Sequence, residues 1–228
     1  MLSVTLILVI ITCAVSIPAF SNRRLIDDLI FYPPAITQRK QWYRFFSCGL
    51  IHADFLHLAF NMIALYSFGQ NVESGLNYST DNGIIRNNGF EQIFGPSQGK
   101  LMYALMYVAA IGFSLLPTYA KHKDDYHYRS LGASGAVSAV IFAGMLLEPR
   151  IGVGILFIPV FIPGYIFAPL FLIISHYLAR KGHGNINHSA HLWGALFGMA
   201  FLLVNAYALT DYDIISQFVQ SVRSHINI

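Results

Sequence analysis

The sequence predicts an all-α polytopic membrane protein, a bundle of six transmembrane helices. Three observations carry that prediction. The 228 residues are 55% hydrophobic and only 11% charged, with a mean hydropathy of +0.54, whereas a soluble domain carries about 25% charged residues. Apolar runs near membrane length recur at about 2–20, 52–68, 101–119, 131–147, 163–179 and 189–209. Polar side chains suited to chemistry collect at the starts of three of those runs. The lipid bilayer is therefore an obligatory partner. The modest net charge of +3 argues for no nucleic-acid role.

Leu2 to Phe20 lacks a basic segment before its apolar part, so it reads as the first span rather than a signal peptide. Ser21 to Ile51 mixes Arg23, Arg24, Pro33-Pro34 and Gln41-Trp42-Tyr43-Arg44, a composition suited to the membrane interface. Gln70 to Lys100, rich in Asn, Gly and Ser, reads as a solvated loop. Ile151 to Ile162 is apolar but broken by Gly152, Gly154 and Pro159, too short and interrupted to span. Pro169 removes one backbone hydrogen bond from the fifth span and predicts a bend. Gly194-xxx-Gly198 in the sixth span is a close-packing signature. Residues 1–210 thus form the membrane domain. The tail, 211–228, spaces Ile214, Ile215, Phe218, Val219 and Val222 as a short interfacial helix would.

In a simple serpentine, spans two, four and six start on the same side of the membrane. His52, His57 and Asn61, then Ser134, then His191 consequently fall at comparable depth beneath one face. Each has a plainer reading alone. Gly132-Ala133-Ser134-Gly135 could be a small-residue packing face, His57 an interhelical hydrogen-bonder, and Asn61 polar glue. Together they are costly to bury in lipid, so they should face the bundle interior or a water-filled cavity. The expected chemistry is acyl transfer, with Ser134 as nucleophile and His191 as general base. With no carboxylate to orient His191, a Ser-His dyad is the most that the sequence supports. Ser134, expected about one turn into its helix, has a backbone N–H free to meet an oxyanion. His52 and Asn61 are the expected further oxyanion donors, and His57 is expected to fix the neighbouring helix. Neither Cys13 nor Cys48 has metal-ligand spacing, and nothing completes a ligand set around His52 and His57, so no metal or cofactor is expected. A transporter or channel would be expected to show internal repeats or paired broken helices, and only the fifth span looks broken.

These residues resemble the rhomboid intramembrane serine proteases. The family's His-x4-His-x3-Asn pattern appears as His52, His57 and Asn61. Gly-x-Ser-Gly appears as Gly132 to Gly135, and Ala-His-x2-Gly-x3-Gly as Ala190, His191, Gly194 and Gly198. The resemblance runs from Arg39 onward, and three motifs in the right order make it specific. It implies a serine endopeptidase that cuts single-span membrane proteins in or near their transmembrane helices. It implies the same dyad, with His52, Asn61 and the Ser134 N–H at the oxyanion, and substrate entry past Pro163 to His188. The alternative is a non-catalytic rhomboid-like protein that binds membrane clients. Two departures stand out: the first-loop Trp-Arg pair is Tyr43-Arg44 here, and the usually aromatic position four after the nucleophile is Ser138. Family topology, for a bacterial inner-membrane protein, would face the site outward. That leaves ten Lys/Arg outside and four inside, against the positive-inside rule. Substrate, regulator and oligomeric state are not legible.

Overall fold

A computed structural model of the chain describes residues 3–80, 83–87, 89–155, 158–181 and 186–226. Leu2, the start of the first predicted span, lies outside the described residues, as does 182–185 within the expected entry region. The architecture is a helical membrane bundle. Its long helices are α1 (Val4–Ala19), α5 (Phe55–Ser74), α7 (Pro96–His122), α8 (Ser134–Leu147), α9 (Gly164–Lys181) and α10 (His188–Leu209). Short helices α2 (Arg23–Leu29), α3 (Pro33–Arg39) and α4 (Arg44–Ser47), with a 3-10 turn at Cys48–Leu50, fill the first connection; α6 is Phe90–Phe94 and α11 Ile214–His225. By length and composition α7 and α10 each suffice to cross a membrane, and α5 does so only with α4 and its turn, across a 96° bend. Helices α1 and α8, at 16 and 14 residues, are apolar but shorter.

Local chemistry sets the helix ends. Ser3, Asp54, Asn187 and Asp213 cap α1, α5, α10 and α11, each side chain accepting from a backbone N–H in the first turn. The start of α1 meets the end of α5. Glu73, fully buried, accepts from the Val4 N–H at 2.7 Å and from the Thr5 N–H and hydroxyl at 2.9 Å. The end of α1 meets the approach to α5, where the Ser16 hydroxyl donates to the Leu50 carbonyl at 2.8 Å. The two helices are therefore antiparallel neighbours.

The closest packing joins α8 to α10. A Cβ on Gly194 would lie 2.0 Å from the Gly135 carbonyl oxygen, and one on Gly198 2.2 Å from that of Ala139. Backbone meets backbone there, which is why small residues recur on both helices.

Two connections differ from the sequence reading. Helix α5 continues to Ser74. Beyond it lie hairpin β1 (Leu76–Thr80) with β2 (Gly83–Asn87) and then α6, whose Phe90 is fully buried in the core. The Asn- and Gly-rich composition marked the turn, not a solvated loop throughout. The apolar, Gly-broken stretch after Pro149 is a second hairpin, β3 (Gly152–Ile155) against β4 (Ile158–Pro163). Both hairpins lie at the end of the bundle away from Ser134.

Candidate active site

Ser134 is the first residue of α8, one turn earlier in its helix than the apolar run suggested. The first helical backbone bond is from the Val137 N–H to the Ala133 carbonyl. The Ser134 N–H therefore precedes the ladder and has no acceptor within the helix. Gly132 makes the turn into α8 with φ +111°, a conformation costly for any residue with a side chain. A Cβ there would also lie 2.8 Å from His57 Cε1, so space and backbone both demand glycine.

His191, in the first turn of α10, reaches across the α8–α10 contact. Its Nε2 lies 2.7 Å from Ser134 Oγ. Both line a cavity of about 500 Å³, together with His57, Asn61, Gly132 and Ala190. Asn61 is nearly buried and donates one Nδ2 hydrogen to its own helix at the His57 carbonyl, 2.9 Å away, leaving the second hydrogen uncommitted by that bond.

The two motif histidines have different surroundings. His52 is fully buried. The Ser16 hydroxyl proton is directed at the Leu50 carbonyl, so the 2.9 Å contact between Ser16 Oγ and His52 Nδ1 assigns the ring proton to Nδ1. The Nε2 lone pair then accepts the Ala133 N–H at 3.4 Å. An Nε2 used in that way cannot donate to an oxyanion. His52 is also absent from the cavity wall. The expectation of His52 as an oxyanion donor is corrected on both grounds: it braces the loop before Ser134. His57 presents the reverse arrangement. Its Nδ1 accepts the Ala53 N–H at 3.4 Å, which assigns the proton to Nε2, on the edge facing Gly132 and the cavity.

Segment 123–133, which delivers Ser134, is pinned to the first connection. Phe31 and Ser130 exchange backbone bonds at 3.0 and 3.1 Å, and the Arg129 guanidinium sits 4.5 Å over the Tyr32 ring. His122 stacks on Tyr128 at 3.9 Å and bonds Asp125 at 3.0 Å. The His122 contact, aided by the His127 N–H, holds the Asp125 carboxyl below its ordinary range.

The family profile of the rhomboid domain matches residues 39–208. The chain belongs to the rhomboid family. It is 32% identical over 151 residues to RHOMBOID-like protein 12, mitochondrial, of Arabidopsis thaliana, covering 63% of this chain and 40% of that one. It is also 26% identical over 183 residues to Rhomboid-like protein 15 of the same plant, covering 76% and 39%. The chain thus spans about two fifths of the length of these curated relatives.

Within this rhomboid, the two departures from the family pattern have local explanations. Arg44 keeps its place without a tryptophan directly before it. Nearly buried, it donates through Nη1 to the Asp27 and Ile30 carbonyls, both at 2.8 Å, and through Nε to Gln41 at 2.6 Å. Trp42 instead lies parallel to Phe45 at 6.3 Å. Ser138 lies one turn below Ser134 on α8 and puts no ring on His191. An aromatic neighbour comes from α10 itself: His188 stands edge-on to His191, centroids 6.0 Å apart at 83°. His188 reads from sequence as an exposed loop residue; it is the half-buried first residue of α10. Its spacing of three before His191 was the signal for a shared helical face. A second, apolar groove of about 230 Å³ also reaches Ser134 and His191, between Phe60 and Phe68 of α5 and Phe167 and Phe171 of α9.

Proposed function

We propose that this protein is an intramembrane serine endopeptidase acting through a Ser134–His191 dyad. The observation that carries the reading is the 2.7 Å contact between Ser134 Oγ and His191 Nε2 at the wall of a cavity large enough for water. His191 Nε2 takes the hydroxyl proton as Oγ attacks the scissile carbonyl carbon. The resulting oxyanion is met by the Ser134 N–H, His57 Nε2–H and Asn61 Nδ2–H. Collapse breaks the C–N bond, and the leaving amine takes the proton from His191. Water, deprotonated by His191, then hydrolyses the acyl-enzyme and regenerates the serine.

The substrates on this reading are single-span membrane proteins. Rhomboids act on membrane-protein substrates within the bilayer, and the apolar groove between α5 and α9 suits a lipid-borne chain. The alternative of a client-binding, non-cleaving protein is disfavoured by the intact Ser-His contact. A bacterial inner membrane was the compartment implied by the resemblance; the relatives named above are plant proteins, one of them mitochondrial, so the reading specifies an integral membrane location alone.

Co-expression with a single-span reporter carrying a helix-breaking residue in its span tests the proposal. Wild type releases the fragment, and Ser134→Ala does not. His57→Ala lowers kcat about 10²- to 10³-fold while the protein remains folded. His52→Ala lowers thermal stability as well, because it unties Ser16 from Ala133. Undiminished cleavage by Ser134→Ala overturns the mechanism.

A further inference from the structure

Two side chains one turn apart on α7 touch the starts of the two helices that carry Ser134 and His191. Ser114 is buried against α8: a Cβ on Gly135, the residue after Ser134, would lie 2.3 Å from Ser114 Oγ. The Ser114 hydroxyl donates to its own helix at the Ile111 carbonyl, 3.1 Å away, so it meets α8 by shape. Thr118 is buried as well, and it meets the start of α10 by hydrogen bonds. Its Oγ1 lies 3.3 Å from Asn187 Oδ1, to which it donates, and 3.2 Å from Asn187 Nδ2, from which it accepts. The Ala190 N–H donates to the same Oδ1 at 3.1 Å, which assigns the oxygen end of the amide.

Asn187 is the residue on which the first turn of α10 is built. Its side chain caps the helix, and its backbone carbonyl accepts from the Ala190 and His191 N–H groups at 3.0 and 3.3 Å. Where Asn187 is held therefore decides the direction in which α10 leaves its cap, and with it the place of the His191 ring. Ser114, Asn187 and His191 line the cavity, whereas Thr118 is not part of that lining. A substrate in the cavity would thus meet Asn187 but not the residue that grips it. The grip is specific because an amide or hydroxyl without a partner is costly inside a membrane bundle, and these two groups answer each other. A methyl in place of the Thr118 hydroxyl would leave the Asn187 amide without that partner and free to turn.

We propose that Thr118 is a positioning residue: by gripping the Asn187 cap it sets His191 against Ser134. With Ser114 it makes α7 the template on which the starts of α8 and α10 are aligned. The inference rests on the dyad reading and adds to it a residue that touches neither the substrate nor the reacting atoms. Its leverage comes from geometry, since a misplacement of about 1 Å in a reacting group can cost on the order of 10²-fold in rate.

Amide hydrogen exchange and fluorophosphonate labelling of the full chain in detergent micelles test the clamp. Thr118→Val speeds exchange in the peptides that hold Ala190 and His191 about tenfold and slows labelling of Ser134 about tenfold, while Thr118→Ser, which keeps the hydroxyl, restores both. Asn187→Ala costs at least as much, and it carries the test should the valine variant not fold. The double variant is no worse than Asn187→Ala alone, because Thr118 acts through Asn187; losses that multiply overturn that route. Wild-type exchange in Thr118→Val overturns the clamp whether or not Ser134 reacts. Faster exchange with an unchanged labelling rate overturns its role in placing His191. A wild type that never labels overturns the dyad reading and with it the catalytic purpose of the clamp, while the exchange arm still shows whether Thr118 holds the cap.

Discussion

Helices α8 and α9 are consecutive and both border the site, yet they are held in opposite ways. Ten of the fourteen residues of α8 are buried, and the backbone at Gly135 and Ala139 lies against Gly194 and Gly198 of α10. In α9 only Gly164 and Ser175 are buried, while Ile173, Ile174 and Leu170 are 67%, 56% and 48% exposed, and Pro169 lies inside the helix. The contrast separates two tasks. The proposed dyad would need Ser134 and His191 fixed to a fraction of an ångström, which close backbone contact provides. The wall facing the apolar groove needs only to keep lipid out, which side-chain tips can do.

The most severe way to break the contrast is to force α8 and α10 apart. Gly194→Val puts carbon where the Gly135 carbonyl oxygen sits 2.0 Å from an ideal Cβ. It should cost at least about 3 kcal/mol and show as lost monodisperse protein in size-exclusion chromatography. A smaller effect is expected where α1 joins α5, away from the dyad. Glu73→Ala leaves the Val4 and Thr5 N–H groups without their acceptor, while the Thr5 hydroxyl can still turn to Tyr103. It should cost about 2–3 kcal/mol and lower Tm in detergent by several degrees, whereas Glu73→Gln, which keeps one acceptor, should lose less. The smallest change belongs to α9. Ile173→Ala should leave stability within about 0.5 kcal/mol, and a drop like that of Glu73→Ala would mean that α9 is packed as firmly as α8.

What could be read from the sequence divides along similar lines. Motif spacing drew attention to Ser134, His191, His57, Asn61 and the four glycines, although it read His57 as fixing the neighbouring helix; the glycines are the most legible because their places tolerate very few residue types. Gly132 needs a positive φ beside a histidine ring, and Gly194 needs no side chain at all. Span starts were blurred because apolar content does not mark a cap; Ala133, not Leu131, precedes the helix. The support for His52 was missed for a different reason. Ser16 is an ordinary residue in an apolar run, and only with Thr5 and Thr12, both likewise buried, does it trace one polar stripe down α1. That stripe was the available signal that α1 faces a polar bundle interior. Glu73 was assigned to a loop because a lone carboxylate at the end of an apolar run reads as a helix terminus. Its partner, the start of α1, lies 68 residues away from it in the chain. Hairpins β1–β2 and β3–β4 were illegible as strands because their Gly, Asn and Pro residues read as breaks.

The central claim is that Ser134 is an activated nucleophile, and a fluorescent fluorophosphonate tests it without knowledge of the substrate. Detergent-solubilised wild type should label, with labelling abolished in Ser134→Ala and in His191→Ala while both variants keep the wild-type elution profile. Labelling that persists in Ser134→Ala would place the nucleophile elsewhere, and a well-folded wild type that never labels would contradict the dyad and favour a client-binding rhomboid.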